Sequence, residues 1–257
     1  MRLIFNVLAI LISFSSVAQR TISSFNDEWK FKKGDHPKAI EPSFKEDGWI
    51  HVQIPHTWNK EDAFATDEKM YKGPGWYVKK IRETIDPNAA YILHFEGSFQ
   101  YTEVFVNGKA AGSHKGGYTA FNVDITPFLT SGNENYIAVK VDNTPRKDIT
   151  PLSGDFTRYG GIYRDIWLIK TPKVHFDFSI FGSFGVFLET PAVSEKSAII
   201  KITANVINQS RNLRKVEVLS ILRDKEFNEV KRVSTQLSLK PEQSQPAVLN
   251  TQVSNPK

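Results

Sequence analysis

The chain has 257 residues, 40% of them hydrophobic and 24% charged, which is typical of a globular protein with one large or two modest domains. Its net charge of +5 is spread without a basic run, and no reader motif occurs, which argues against nucleic-acid binding. The absence of cysteine excludes disulfide frameworks, thiol catalysis and cysteine-ligated zinc.

Residues 1–18 have the layout of a secretory signal peptide. Arg2 supplies the positive start, Leu3 to Phe14 is an apolar run too short to span a bilayer, and Ser16-Val17-Ala18 supplies the small residues of a cleavage site. The alternative, a buried N-terminal helix, fits this layout less well. We therefore expect a mature chain that begins at Gln19 and is exported to the periplasm or the cell exterior, with no membrane span.

A shift in composition predicts two domains. All five Trp and all eight Tyr precede residue 168, and Lys170-Thr171-Pro172-Lys173 is typical of a linker. The predicted domains are residues 19–171 and 172–257.

In the first domain, short runs rich in aromatic and β-branched residues predict strands. These runs are Tyr91–Phe95, Thr102–Val106, Asn135–Asp142 and Ile162–Ile169. Asn107-Gly108 predicts a tight hairpin because both residue types tolerate positive φ. One helical turn is predicted at Thr126–Leu129, with Thr126 as the N-cap. Many short strands between Gly and Pro clusters indicate a β-sandwich or a jelly roll.

In the second domain, apolar and polar residues alternate over longer runs. Ile200, Ile202, Ala204 and Val206 share one face of a predicted strand, which is typical of an immunoglobulin-like β-sandwich. We expect this sandwich to be truncated at its last strand. Such a sandwich would leave an edge that is prone to pairing, so aggregation or non-native dimerisation is also expected.

The residues alone indicate little chemistry. No phosphate-binding, zinc-protease or serine-hydrolase motif occurs, and no histidine spacing indicates a metal, so surface or capping roles are predicted for all six His. Glu96 is interpreted as a structural hydrogen-bond acceptor. Glycoside hydrolysis needs two carboxylic groups about 5–10 Å apart, and no such pair is indicated. The residues alone therefore predict an exported two-domain β protein that binds carbohydrate.

Several motifs follow one another across about 150 residues. They are Ile54-Pro55-His56-Thr57-Trp58-Asn59, Tyr71-Lys72-Gly73-Pro74-Gly75-Trp76-Tyr77, Phe95-Glu96-Gly97, Val104-Phe105-Val106-Asn107-Gly108, His114-Lys115-Gly116-Gly117-Tyr118, Asp124-Ile125-Thr126, Val141-Asp142-Asn143 and the block from Asp155 to Asp165. In this order they resemble the N-terminal part of glycoside hydrolase family 2, the β-galactosidase family.

The resemblance implies a jelly-roll sugar-binding domain, an immunoglobulin-like domain and then a TIM barrel that carries two catalytic Glu residues for a retaining double displacement. The barrel is not part of this sequence. No catalytic residue is therefore expected here, and the chain is expected to be inactive alone, as a truncated enzyme or a gene fragment.

The resemblance also implies substrate-binding residues in two loops: Asp155 and Arg158 in a loop that reaches over the pocket of the barrel, and Tyr71 in a loop that resembles one near the family's active site. Asp155 is expected to contact sugar hydroxyls; its alternative role is to cap the Ser153-Gly154 turn. Arg158 either orients Asp155 or braces the loop, and Tyr71 is a further, weaker candidate. No cofactor or metal is expected in this chain itself, whereas in some family members the residue matching Asp155 helps to hold a cation. A monovalent or divalent cation is therefore expected in the full-length enzyme.

Three functions remain open. The first is the non-catalytic N-terminal portion of a β-galactosidase-like exo-glycosidase, with a β-galactoside or related glycan and the missing barrel as partners. The second is a free-standing carbohydrate-binding protein, and the third is an adhesion or scaffold protein. The sequences of these motifs resemble the β-galactosidase branch of the family, which favours β-galactosides over β-glucuronides and β-mannosides.

Overall fold

The computed structural model describes residues 20–60, 62, 69–132, 134–152 and 158–256. The predicted signal peptide and Asp155 lie outside these residues. Within them the regular structure is β, with two short 3-10 turns at Pro37–Ile40 and Thr126–Phe128 and no α-helix. The predicted all-β class is confirmed. The same residues include no helix that is long and apolar enough to cross a membrane.

The first region consists of two antiparallel sheets. Its strands are β1 Thr21–Ser24, β2 Trp29–Lys33, β3 Ile50–Val52, β4 Pro74–Ile81, β5 Ala89–Phe95, β6 Tyr101–Val106, β7 Lys109–Lys115, β8 Phe121–Asp124, β9 Asn135–Asp142 and β10 Ile166–Pro172. One sheet has the order β1-β10-β5-β8 and the other β3-β2-β4-β9-β6-β7. Buried aromatic and branched residues from both sheets form one core, so the sheets pack face to face.

Burial explains why the central strands have nearly continuous apolar sequences. β9 lies between β4 and β6, and Tyr136 to Val139 are all buried. Each of these residues therefore faces either the main core or a smaller core on the outer side of the sheet, where Trp76 stacks on Phe105. The predicted hairpin at Asn107-Gly108 is confirmed, with φ of 51° and 80° at the two residues.

Two local predictions need correction. The helical turn is present, but Ile125 occupies its cap position, and the Thr126 hydroxyl instead accepts a hydrogen bond from the Tyr91 amide at 2.8 Å. The strand predicted from Ile162 begins only at Ile166. The residues before Ile166 form hydrogen bonds with loops instead of a neighbouring strand. The carbonyl of Ile162 accepts a hydrogen bond from the amide of His56, and the amide of Arg164 donates to the carbonyl of Gly97.

The second region is a smaller set of antiparallel strands. They are β11 Val174–Phe176, β12 Val186–Val193, β13 Ser197–Asn208, β14 Arg214–Arg223, β15 Glu229–Leu239 and β16 Gln243–Ser254. β13 pairs with β16 along one edge and with β11 and β12 along the other, while β14 and β15 form a separate hairpin. An aliphatic core joins the sheet to the hairpin. The immunoglobulin-like classification of this region stays a prediction.

The two regions follow one another almost without a linker. β10 remains paired with β5 through Pro172, and β11 begins at Val174, so the residues interpreted as a linker belong mostly to the sheet. The Asn122 amide donates to the carbonyls of Phe178 and Ser183, both at 2.9 Å, and joins the regions directly. The predicted division at 171/172 stays a prediction.

Candidate functional site

The motif segments that lie far apart in the sequence meet at the buried side chain of Asn59. Its Oδ1 accepts a hydrogen bond from the amide of Gly160 at 2.8 Å. Its Nδ2 donates to the carboxylate of Asp62 at 2.9 Å and to the carbonyl of Tyr71 at 3.2 Å. Asn59 is fully buried and has no access to water. Its amide oxygen and nitrogen therefore need these protein partners to satisfy their hydrogen-bonding capacity.

Asn143 extends the same network to a fourth segment. Its Oδ1 accepts from the amide of Gly73 at 2.8 Å, while its Nδ2 donates to Asn59 Oδ1 at 3.3 Å and to the Tyr71 carbonyl at 3.2 Å. We call the set Asn59, Asp62, Tyr71, Asn143 and Gly160 the loop junction. It connects the loop after β3, the start of β4, the end of β9 and the segment before β10.

Close packing at the loop junction requires glycine in the Gly160-Gly161 pair. A Cβ on Gly160 would lie 2.2 Å from the ring of Trp58, and a Cβ on Gly161 would lie 2.4 Å from the carbonyl oxygen of His56. Gly161 also has a φ of 127°, which side chains rarely adopt.

Two described contacts lie at the ends of the segment that contains Asp155. The Arg158 guanidinium donates through Nη1 to the carbonyl of Pro151 at 3.2 Å, and the Thr57 hydroxyl donates to the carbonyl of Gly160 at 2.8 Å. Asp155 itself lies outside the described residues. Of the two roles expected for Arg158, the described contact corresponds to bracing the loop.

The backbone carbonyl of Tyr71 is part of the loop junction, and its ring lies beside the junction. Its hydroxyl donates to the carbonyl of Pro74 at 2.9 Å, and the ring packs edge-on against Trp58 and carries the Lys33 ammonium 5.2 Å from its centre. Burial, with a further contribution from the Asp142 carboxylate, raises the pKa of Tyr71. The phenol is therefore protonated at neutral pH, and its oxygen can still accept a hydrogen bond.

A histidine–tyrosine pair lies next to the loop junction. His56 Nδ1 is 2.9 Å from the hydroxyl of Tyr77, which is fully buried. Burial lowers the pKa of His56 to about 4 and raises that of Tyr77. Both groups are therefore neutral at pH 7, so this histidine does not serve there as a cationic acid. The expectation of surface or capping roles is wrong for His94, which is buried and bonded to Asn122 Oδ1.

The described carboxylates at this place serve structural roles. Asp62 accepts from Asn59 and from the amide of Tyr71 at 2.9 Å, and Asp142 accepts from the amide and hydroxyl of Thr144. Nearby, Glu96 accepts from the Trp167 indole at 2.8 Å, as interpreted from the sequence. Among the described residues, no group of three His, Asp or Glu side chains is placed to hold a metal ion.

Sequence reasoning missed Asn59 and Asn143 as the residues that connect the site. Both stand in quoted motifs, Asn59 directly after Trp58 and Asn143 directly after Asp142. For Asn143 the available signal was an amide side chain directly after an apolar strand, where it can bridge loops. Nothing in the spacing showed that residues 84 positions apart share a bond.

Comparison with known proteins identifies relatives of this chain. Residues 22–172 match the family model described as the sugar binding domain of glycosyl hydrolases family 2. A β-galactosidase of Bacteroides ovatus is 33% identical over 85% of the chain, and a β-glucuronidase of Bacteroides fragilis is 34% identical over 78%. The solved structure of β-glucuronidase 2 of Bacteroides uniformis superimposes with a TM-score of 0.87 at 36% identity over 93% of the chain.

The chain spans only a part of each of these proteins. It covers 25% of the Bacteroides ovatus protein and 28% of each of the other two.

Proposed function

Because the chain belongs to glycosyl hydrolase family 2, we propose that it is the non-catalytic N-terminal portion of a β-galactosidase-like retaining exo-glycosidase. The observation that carries this proposal is the family match over residues 22–172, joined to the small share of each relative that the chain spans. The proposed division of labour places both catalytic carboxylates in a barrel outside this sequence. The chain itself keeps a sugar-binding role in this proposal.

The proposed binding element is the loop that contains Asp155. Asn59 bonds to the amide of Gly160 and Arg158 bonds to Pro151, so the ends of this loop are held by buried or partly buried contacts. A carboxylate on such a loop can accept hydrogen bonds from two adjacent sugar hydroxyls, and its charge strengthens each of them. We propose Asp155 as the principal sugar contact, with Arg158 and Tyr71 beside it.

Loop-junction geometry supports this role through pre-organisation. A loop whose ends are already fixed loses less conformational entropy when a sugar binds. The same reasoning assigns Asn59 and Asn143 to positioning and not to sugar contact, because their described polar atoms are already engaged.

The proposed substrate is a β-galactoside, because the sequences of the motifs resemble the β-galactosidase branch of the family. A β-glucuronide is the second candidate, because relatives of similar identity are named β-glucuronidases. The monovalent or divalent cation expected in the full-length enzyme would involve Asp155, which lies outside the described residues, so no step is assigned to it. Export through residues 1–18 is part of the same proposal.

The decisive experiment measures hydrolysis of chromogenic β-galactoside and β-glucuronide. It compares the 257-residue chain with the longer protein encoded by the same reading frame. We expect activity only in the longer protein. Activity in the short chain would overturn the non-catalytic role, and no activity in either would favour a free-standing carbohydrate-binding protein.

In the active longer protein, Asp155→Ala should lower kcat/KM by about 10- to 100-fold, the cost of one lost charge-assisted hydrogen bond. Asp148→Ala is the matched control. Its carboxylate pairs with Lys115 at 2.7 Å and with Arg146 at 3.1 Å, at the surface. Equal effects of the two substitutions would contradict a sugar contact at Asp155.

A further inference from the structure

A groove of about 440 Å³ lies beside the loop junction, between the second half of β2 and the loop after β3. Its apolar wall consists of Phe31, Ile50 and Trp58. The rings of Phe31 and Trp58 stack with their centres 5.8 Å apart, and Ile50 is 58% exposed. A volume of this size, with an apolar and aromatic wall, is typical of pockets that bind small ligands, which span roughly 300–1,000 Å³.

The groove also carries positive charge that the protein does not neutralise. Lys32, Lys33 and Lys60 line it, and its described lining contains no carboxylate. None of these three lysines forms an ion pair with another described residue, whereas Lys30, on the same strand, pairs with Glu46 at 3.2 Å. An anion can therefore bind in this groove without displacing a carboxylate of the protein.

The neighbouring titratable groups do not cancel this charge. Asp35 accepts a hydrogen bond from the Trp76 indole at 3.3 Å and lies 3.9 Å from the Lys140 ammonium, while the Asp62 carboxylate is engaged in the loop junction. His56, the remaining titratable group of the lining, is neutral at pH 7 because burial lowers its pKa to about 4. The charge of the groove therefore comes from its lysines.

Trp58 and Lys33 connect the groove with the loops proposed to contact sugar. A Cβ on Gly160 would lie 2.2 Å from Cζ2 and 2.4 Å from Cε2 of Trp58, so this edge of the ring touches the loop junction. The indole N–H at the same edge is buried and has no hydrogen-bond partner among the described residues. On the other side, the Lys33 ammonium lies 5.2 Å from the centre of the Tyr71 ring. The groove thus borders the sites of both loops.

We propose that this groove binds an anionic unit of the glycan, namely a sugar ring that carries a carboxylate or a sulfate ester. The ring would pack against the apolar wall, and the anionic group would bind to Lys32 and Lys60 through charge-assisted hydrogen bonds. This inference rests on the proposed function and narrows its substrate to glycans in which the cleaved sugar is followed by such a unit.

The test measures binding to the 257-residue chain by titration calorimetry at about 0.15 M salt, where surface charges are partly screened. The probes are β-1,4-galactotetraose, its sulfated form, tetragalacturonate and inorganic tetrapolyphosphate. We expect the sulfated form, tetragalacturonate or both to bind at least about 10-fold more tightly than the neutral tetrasaccharide, because only they complement the lysines. They should also bind more tightly than tetrapolyphosphate, which has no ring to pack against the wall. The charged saccharide that binds identifies the anionic group.

Two pairs of variants locate the binding. Lys32→Gln with Lys60→Gln should weaken it about 10-fold or more. Lys215→Gln with Lys231→Gln, two exposed positions on the hairpin of the second region, changes the net charge equally and should leave binding unchanged. Ile50→Glu, which adds a like charge to the groove wall, should weaken binding about 10-fold more than Ile50→Gln. Because all these side chains are half-buried or exposed, the melting temperatures should stay close to that of the unsubstituted chain.

Equal affinity for the neutral tetrasaccharide or for tetrapolyphosphate would overturn the proposal, as would equal effects of the groove and hairpin variants. Selective binding by the chain, together with a longer protein that hydrolyses no glycoside, would uphold it and overturn the proposed function. Hydrolysis by the longer protein without selective binding would overturn this inference and leave the proposed function standing.

Discussion

The two regions of the molecule differ in how completely they bury their own apolar residues. Among the described residues the main core of the first region contains 23 buried side chains, many of them aromatic, whereas that of the second contains eight, all aliphatic. In the first region loops are tied to the sandwich by buried amide side chains. In the second, Val186 and Leu188 of β12 remain exposed although they are register partners of buried Ala204 and Ile202. The first region therefore buries its apolar residues more completely than the second.

The largest expected effect comes from removing equivalent leucines from the two cores. Leu93 and Leu239 are both fully buried. Leu93→Ala should lower the free energy of unfolding by about 4–5 kcal/mol, because the sheets around it are paired on both sides and cannot close the cavity. Leu239→Ala should cost about 2–3 kcal/mol, because the open side of the second region can relax. Urea unfolding of both variants measures the difference, and equal losses would contradict the comparison.

A somewhat smaller effect is expected at the loop junction. Gly161→Ala should cost about 3–4 kcal/mol, because the added Cβ meets a backbone oxygen and the residue keeps a positive φ. Gly132→Ala is the control, with a φ of 79° but no atom within 4 Å of the added Cβ, and should cost about 1 kcal/mol. Thermal unfolding of both variants checks this, and a similar loss at the two sites would refute close packing as the cause.

Coupling between the regions should depend on Asn122. Asn122→Ala removes two hydrogen bonds to carbonyls of the second region and should cost about 2 kcal/mol. It should also separate the unfolding of the two regions into distinct calorimetric transitions. Asn88, an exposed residue on the turn before β5, is the control and its replacement by Ala should change neither quantity. A single sharp transition in the Asn122 variant would show that other contacts couple the regions.

The smallest expected effect is the part of the pH dependence that comes from His56 in the first region. The folded-state pKa of His56 is lowered to about 4 from an unfolded value of about 6.5, so the unfolded chain takes up the proton first. The stabilisation is therefore complete above pH 6.5 and is lost as the pH falls toward 4. Because the ring is partly exposed, we expect a loss of only about 1 kcal/mol.

His56→Gln keeps an acceptor for Tyr77 and should remove this component of the pH dependence. The measurement is the free energy of unfolding of both proteins at pH 7 and pH 4. The remaining dependence in the variant includes His114 and His175, whose pKa values are also lowered by burial. An unchanged difference between the two pH values would show that His56 does not contribute.

Much of the β structure was predictable because its signals are local. The alternation of Ile200, Ile202, Ala204 and Val206 predicted the face that β13 buries, and Asn107-Gly108 predicted the turn after β6. The predicted start of the strand at Ile162 was wrong because loops compete there for the backbone hydrogen bonds. Residues 162–165 begin with Ile162 and Tyr163, which favour a strand, but backbone groups of this segment bond to the loops at His56 and Gly97.

Residue identity and order by themselves determined the all-β class and, through the motifs between Ile54 and Asp165, membership in glycosyl hydrolase family 2. Only the tertiary structure decided which polar residues act together, because Asn59, Asn143 and Gly160 become neighbours only after both sheets have formed. The tertiary structure likewise decided that Val186 and Leu188 of β12 stay exposed. Side-chain alternation indicates which residues share a face of a strand, but whether another layer covers that face depends on strands distant in the chain.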